Sequence, residues 1–372
     1  MADKNIFFAG GGTGGHIYPA IAVAEKIAEL DPTAKINFFI SSRDIDKRVL
    51  SKTTFKYITL PAIGFSIRPD KFINFCKMFL ASQKIAAEMI TKSENPVVVG
   101  VGGFVAAPVC RAAYKLKIPL LLLNVDIIPG KANKFIGRWA QQIFVQFEET
   151  TEYFGRQKSK VTVAGCPLRN SFEKPNPQRA KETLGLDGRK KILLITGAST
   201  GSQNINRTIC SLLDKLSDYA DSWQIVHLTG RANFDQVNAG YANAPIRSRV
   251  VDYYDDMADL LAAADIVIGR SGAVSVAEYA AAGVPSICMP YPYHKDMHQY
   301  LNAGKLVDAG AAVIVDDIGD EKDQQEWLWE ELEPLLKDEK KRLQMKKACK
   351  LVGHRDAAKI IAEAVLGWQD SI

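Results

Sequence analysis

Short runs of apolar, β-branched and aromatic residues recur along the chain, each followed by a stretch with helical periodicity. Residues 4–9 form the first run, the loop GGGTGGH fills 10–16, and an amphipathic stretch continues to residue 30. Further strands are predicted at 35–40, 97–100, 119–124 and 142–146, with a small-residue helix after the glycines at 102–103. The order restarts near residue 190, with a strand at 191–196, a loop at 197–201 and a helix at 204–216. Strands at 224–228, 248–252, 265–269 and 285–289 follow. Short apolar strands separated by helical lengths imply parallel sheets covered on both faces. The two strand–glycine–helix openings start at Gly10 and Gly197, half a chain apart. The fold class is therefore α/β, with two Rossmann-like domains spanning 1–166 and 167–351. They join where Pro167, Pro175 and Pro177 interrupt the pattern.

One predicted helix, residues 69–92, has more apolar surface than a single contact needs. Met78, Ala81, Ile85 and Met89 form a stripe suited to a core. Phe72, Phe75 and Phe79 form a second cluster about 100° around the helix, with Lys77 and Lys84 on the far side. The helix is either wide-faced and buried or a patch that enters a bilayer interface while its lysines meet anionic headgroups.

Composition narrows the class. Of 372 residues, 47% are hydrophobic and 24% charged, which excludes disordered and low-complexity chains. Six scattered cysteines form no CxxC pair, so neither a disulfide framework nor a zinc site is expected, and a reducing compartment fits. The first apolar run leads straight into glycines, so no signal peptide is expected. The nearest approach to a membrane span, residues 95–110, is broken by Gly100, Gly102, Gly103 and Pro108. Residues 1–165 carry 22 Lys and Arg against 13 Asp and Glu, whereas the remainder carries 25 against 29. A basic first half suits an anionic partner: a phosphorylated ligand, a membrane surface or nucleic acid.

The loop at 10–16 lies between a strand and a helix. Glycine lets a ligand approach the backbone, and the helix start offers N–H groups to an anion. Gly10, Gly12 and Gly15 satisfy G-x-G-x-x-G, the dinucleotide fingerprint. That reading needs an acid at the end of the second strand, where the chain has Ser41, Ser42 and Arg43 before Asp44. His16 begins the helix, where the positive dipole end favours a neutral imidazole able to take a proton. A capping or packing role is the alternative. RSGAVSVAE (270–278) opens another helix after a strand, and Glu278 could accept from a sugar diol or make a surface ion pair. The loop PYPYHKDMHQ (290–299) is polar, but its spacing matches no trusted set of metal ligands.

These motifs carry a family resemblance. GGGTGGH, GVGGFVAAP (100–108), AGCPLR (164–169), GASTGSQNIN (197–206), RSGAVSVAE and HKDMHQYLNA (294–303) occur in the order found in the MurG family of peptidoglycan N-acetylglucosaminyltransferases. The resemblance covers essentially the whole chain. It implies the GT-B fold, two Rossmann-like domains facing a central cleft, with the final helix (352–372) packing back on the first domain. It implies inverting transfer of GlcNAc from UDP-GlcNAc to the C4 hydroxyl of lipid-linked MurNAc-pentapeptide, without metal or other cofactor. The implied partners are UDP-GlcNAc, a lipid-pyrophosphate acceptor and an anionic membrane surface, with no nucleic acid. The implied location is peripheral, on the cytoplasmic face of the membrane.

Carried over by motif, Thr13, Gly14 and Gly15 sit near the donor sugar and acceptor pyrophosphate. Arg169 and Ser199 would hold the diphosphate, and Tyr254 falls where the family contacts uracil. Ala273, Val274, Ser275, Val276, Ala277 and Glu278 would wrap the nucleoside, with Glu278 on the ribose. His298 and Gln299 replace two glutamines near the GlcNAc hydroxyls. His16 is the candidate base, with Asp126 its rival or its orienting group. The chain departs from the family at Leu123-Asn124-Val125-Asp126, where H-E-Q-N is usual, at His298, and at GASTGS, where G-G-S-Q-G is usual. A related GT-B transferase with another sugar or acceptor is the second reading. A nicotinamide oxidoreductase is a distant third, because it leaves the second glycine loop and 270–278 unexplained.

Overall fold

The computed structural model describes residues 4–12, 14–66, 68–353 and 356–369. The chain divides into two compact units, Met1–Asn170 with His354–Ile372, and Ser171–Gly353. The first unit is built on a sheet of seven parallel strands: β1 (Asn5–Gly10), β2 (Lys35–Ile40), β3 (Lys56–Thr59), β4 (Pro96–Gly102), β5 (Leu120–Asn124), β6 (Gln142–Val145) and β7 (Val161–Val163). Their order is β3-β2-β1-β4-β5-β6-β7. β1 is buried along its whole length, as a strand covered on both faces must be. Phe7 stacks on Phe39 at 5.5 Å on one face, and Phe8 on Phe38 at 5.1 Å on the other. The helices that serve the site are α1 (Gly14–Leu30), α2 (Asp44–Leu50), α3 (Pro69–Thr91), α4 (Gly103–Lys115) and α5 (Lys131–Ile136).

The second unit repeats the plan with six parallel strands: β8 (Lys191–Thr196), β9 (Trp223–Leu228), β10 (Ser248–Val251), β11 (Ile266–Gly269), β12 (Ser286–Cys288) and β13 (Ala312–Ile314). Their order is β10-β9-β8-β11-β12-β13. In both sheets the chain reverses direction of build beside the first strand, between β1 and β4 and between β8 and β11. Such switch points leave a crevice at the carboxyl ends of the strands, and both glycine loops lie there. His227 on β9 is fully buried: Nδ1 meets the Tyr241 hydroxyl at 2.9 Å and Nε2 meets Asn206 Oδ1 at 3.0 Å. Burial pushes its pKa down to about 3, so it is a neutral core residue.

Two expectations shift. The segment 204–216 is two helices, Gln203–Ser211 and Leu213–Ser217. On α3 the buried residues are Ser82, Ala86 and Ile90. Met78, Ala81 and Ile85 are half-buried and Met89 is exposed, so the core-facing stripe is displaced by one position. The reason is steric: α3 packs on α4, and small residues at a helix contact let the backbones approach. Periodicity locates an apolar face but not which edge of it meets the neighbour.

Candidate active site

In the first unit β1 and β4 end side by side, with Gly10 paired to Gly102 after a register shift. α1 and α4 start from these ends, so two helix N-termini converge at the switch point. Gly103 has φ +77°, and a side chain there would collide with the Gly11 carbonyl. Glycine is therefore required for the two loops to touch. Of the candidate residues in the loop, Gly14 is buried and Gly15 exposed, and Thr13 lies outside the described residues.

His16 is half-buried in the first turn of α1. Its ring packs over Gly102, where a Cβ would lie 2.8 Å from Cδ2 and 3.0 Å from Nε2. Burial lowers its pKa below 6.5, against the opposing charges of Asp126 and Asp46 and a ring N–H donated to the Gly11 carbonyl. The ring is thus neutral near pH 7, with one nitrogen committed as donor and the other carrying the lone pair. Asp126 is half-buried in the loop after β5. That loop is shaped by Asn124, whose Nδ2 donates to the Asp126 carbonyl at 2.7 Å and whose Oδ1 accepts from Asn133 at 2.9 Å. His16 and Asp126, far apart in sequence, are brought within electrostatic reach of each other.

Sequence reasoning missed Asp46. It is fully buried at the start of α2 and accepts from Gly12 N at 2.8 and 3.0 Å, from Ser41 N at 3.2 Å and from the Ser41 hydroxyl. This acid beside the end of β2 is turned onto the glycine loop itself, not toward a ribose. Arg169 belongs to the same unit, with its guanidinium 4.3 Å from the centroid of the Tyr18 ring on α1. Glu25, two turns along the same face of α1, has its pKa raised by burial and pulled back by the Asn170 N–H and by Arg169.

In the second unit Ser199 is exposed in the short turn after β8. The helix Ala273–Ala282 begins at Gly272, which has no side chain to cap it. Ala273, Val274 and Val276 are buried, whereas Ser275, Ala277 and Glu278 are partly exposed. Arg270, also missed as a site residue, ties the surrounding loops together. It donates to Met289 O at 2.8 Å and to Ser202 Oγ at 2.6 Å, and pairs with Asp317 at 2.6 Å. One guanidinium thus fixes the loops that follow β8, β11, β12 and β13.

His298 is the first residue of the helix His298–Asp308, and its Nδ1 lies 2.7 Å from Asp296 Oδ1. Burial raises the Asp296 carboxyl, but the His298 ring, its charge and its backbone N–H outweigh this and hold it below the usual range. Gln299 accepts from Tyr291 N at 3.0 Å, and its carbonyl accepts from the Ser271 hydroxyl at 2.9 Å. Ser271 follows Arg270, so the 290–299 loop is moored to the RSG turn. Tyr254 is half-buried after β10; burial, Asp256 and Asp259 raise its pKa, and Thr183 hydrogen-bonds its hydroxyl. Among the described residues no three His, Cys, Asp or Glu side chains group to hold a metal.

Residues 6–145 match the glycosyltransferase family 28 N-terminal domain and residues 192–361 its C-terminal domain. Curated relatives include the UDP-N-acetylglucosamine–N-acetylmuramyl-(pentapeptide) pyrophosphoryl-undecaprenol N-acetylglucosamine transferase of Acetivibrio thermocellus. It is 33% identical over 366 residues, 97% of each chain. The enzyme of the same name from Thermodesulfovibrio yellowstonii is 34% identical over 313 residues, 84% of this chain and 85% of its own. Among solved structures, Acinetobacter baumannii MurG superposes with a TM-score of 0.72 at 23% identity, covering 98% of this chain and 99% of its own. At that identity the likeness speaks for the fold alone, which is GT-B.

Proposed function

The chain belongs to glycosyltransferase family 28, and from that premise we propose that it transfers GlcNAc from UDP-GlcNAc to the C4 hydroxyl of a lipid-linked MurNAc-pentapeptide. The single observation that carries the reading is near-complete coverage at 33% identity by a relative bearing that enzyme's name. The geometry fits the chemistry. The acceptor oxygen forms its bond to the sugar C1 as the bond from C1 to the UDP oxygen breaks, with inversion. UDP leaves with the electron pair, and the acceptor proton goes to a base. His16, neutral and beside two helix N-termini suited to a pyrophosphate, is that base, and Asp126 orients it or steadies its charge.

In the second unit the donor diphosphate meets the loop carrying Ser199. Glu278 accepts from the ribose hydroxyls at the helix whose first turns are Ala273–Ala277. His298 and Gln299 approach the GlcNAc hydroxyls, and Tyr254 the uracil. The test is transfer of labelled GlcNAc from UDP-GlcNAc to a synthetic MurNAc-pentapeptide lipid pyrophosphate. Labelled product is expected, and transfer of a different sugar, or to a different acceptor only, would favour the related-transferase reading.

The acceptor's lipid tail stays in a bilayer, so the enzyme works as a peripheral protein on the cytoplasmic face. No helix among the described residues is long and apolar enough to cross a membrane. Support comes from α3, where Phe72 lies 6.4 Å from Phe75, and Phe75 lies 5.9 Å from Phe79. Phe65, in the preceding loop and absent from the sequence expectation, adds an edge-on ring 5.3 Å from Phe75. Phe65 and Phe72 are exposed, 60% and 44%, and Lys77 and Lys84 flank them in solvent. The double substitution F65S/F72S is expected to weaken binding to anionic liposomes by roughly tenfold or more, as two aromatic anchors are lost. UDP affinity by calorimetry should not move. A folded double variant that sediments with liposomes like the parent would place the attachment elsewhere.

A further inference from the structure

The Gly11–Gly12 peptide group is gripped at both ends. Its N–H is held by both oxygens of Asp46, at 2.8 and 3.0 Å, and its carbonyl accepts the ring N–H of His16. A side chain on Gly11 (φ +149°) would run into Asp46 Oδ2. Next along the chain, the Gly12 carbonyl accepts from Arg43 Nη1 at 2.7 Å, with the Arg43 guanidinium 5.2 Å from the centroid of the Phe104 ring. Asp46 itself is fully buried, and it also accepts from the Ser41 backbone N–H and hydroxyl.

We propose that Asp46 is a positioning residue for the transfer reaction, acting on His16 through the Gly11–Gly12 peptide, with Arg43 clamping the far side of Gly12. The carboxylate polarises the peptide, and the peptide carbonyl then fixes the imidazole tautomer and stabilises the imidazolium formed when His16 takes the acceptor proton. The arrangement works as an aspartate–histidine pair with one peptide group inserted between the partners. Its electrostatic sense is consistent, since the Asp46 charge favours the protonated ring. The charged groups that act on the ring are Asp126 from the β5 loop and Asp46 from α2. This inference rests on the reading of His16 as the base.

The test uses the full chain. Asp46→Asn keeps the shape and removes the charge. It is expected to lower kcat about 10–100-fold with UDP affinity unchanged, and to move the His16 titration, followed by NMR with His16→Ala as the assignment control, to lower pH. The acid limb of the kcat profile should move the same way. A folded Asp46→Asn with an unmoved His16 titration overturns the proposal. If that variant does not fold, Arg43→Ala on the exposed side decides: a several-fold loss of kcat, partly restored by Arg43→Lys, supports the clamp. A change in thermal stability alone overturns it. An acid limb that survives in His16→Ala would remove the base assignment, and the NMR titration would then judge Asp46 separately.

Discussion

Substituting His16 by alanine is expected to lower kcat by at least about 100-fold while UDP affinity changes little. A positioned base contributes ~10²–10⁴-fold, and the nucleotide contacts proposed above do not include His16. The pH profile carries a second signature. A base acts when unprotonated, so activity falls as pH drops through its pKa. Burial lowers the His16 pKa more than Asp126, Asp46 and the Gly11 hydrogen bond raise it. The acid limb of kcat should therefore lie below 6.5 and vanish in His16→Ala. Steady-state rates from pH 4.5 to 8 with saturating donor would reveal it. A loss of only a few-fold, beside a larger loss in Asp126→Asn, would transfer the base role to Asp126.

Glu278→Ala should weaken UDP binding by roughly 10–150-fold. The carboxylate sits at the second turn of a helix that begins at the β11 switch point, within reach of a diol over the helix start. Removing a charged acceptor leaves ribose hydroxyls unpaired in the complex, a cost of about 1.5–3 kcal/mol. Isothermal titration of UDP is the direct measurement. Equal affinity in parent and variant would put Glu278 outside the nucleotide site. Inorganic pyrophosphate should still bind in the variant, because the loop carrying Ser199 is untouched.

What could be read in the sequence follows burial. Strands such as β1, β4 and β8, covered on both faces, announce themselves as apolar runs, and the glycines after β1 and β8 mark the switch points directly. β3 (KYIT) and β7 (VTV) escaped because they are short edge strands with exposed or half-exposed residues. β13 escaped because three residues cannot display a period. The site divides in the same way. His16 and Glu278 sit inside local motifs, so type and position together pointed to them. Asp46 acts across 34 residues of sequence on Gly12, and nothing near it in the chain signals that contact. Arg43 and Asp44 are the first charged residues after β2, so position alone favours them over Asp46. Arg270 lay in a recognised motif, but its partners Ser202, Met289 and Asp317 come from three other loops. Phe65 precedes α3 in a segment without periodicity, so the helical pattern could not include it.

The return of the last helix has a consequence for how the molecule is made. The helix Ala357–Gln369 packs on α1 and buries Ala358, Ile361, Ala362 and Val365. It belongs to the first unit, yet it is synthesised after every residue of the second. On the ribosome, the first unit therefore emerges with one flank of α1 uncovered and waits for its final layer. The second unit, an uninterrupted stretch, can close meanwhile. Completion of the amino-terminal unit is thus delayed until residues 357–369 have left the ribosome, and the nascent chain shows an apolar flank to chaperones through the making of residues 171–353.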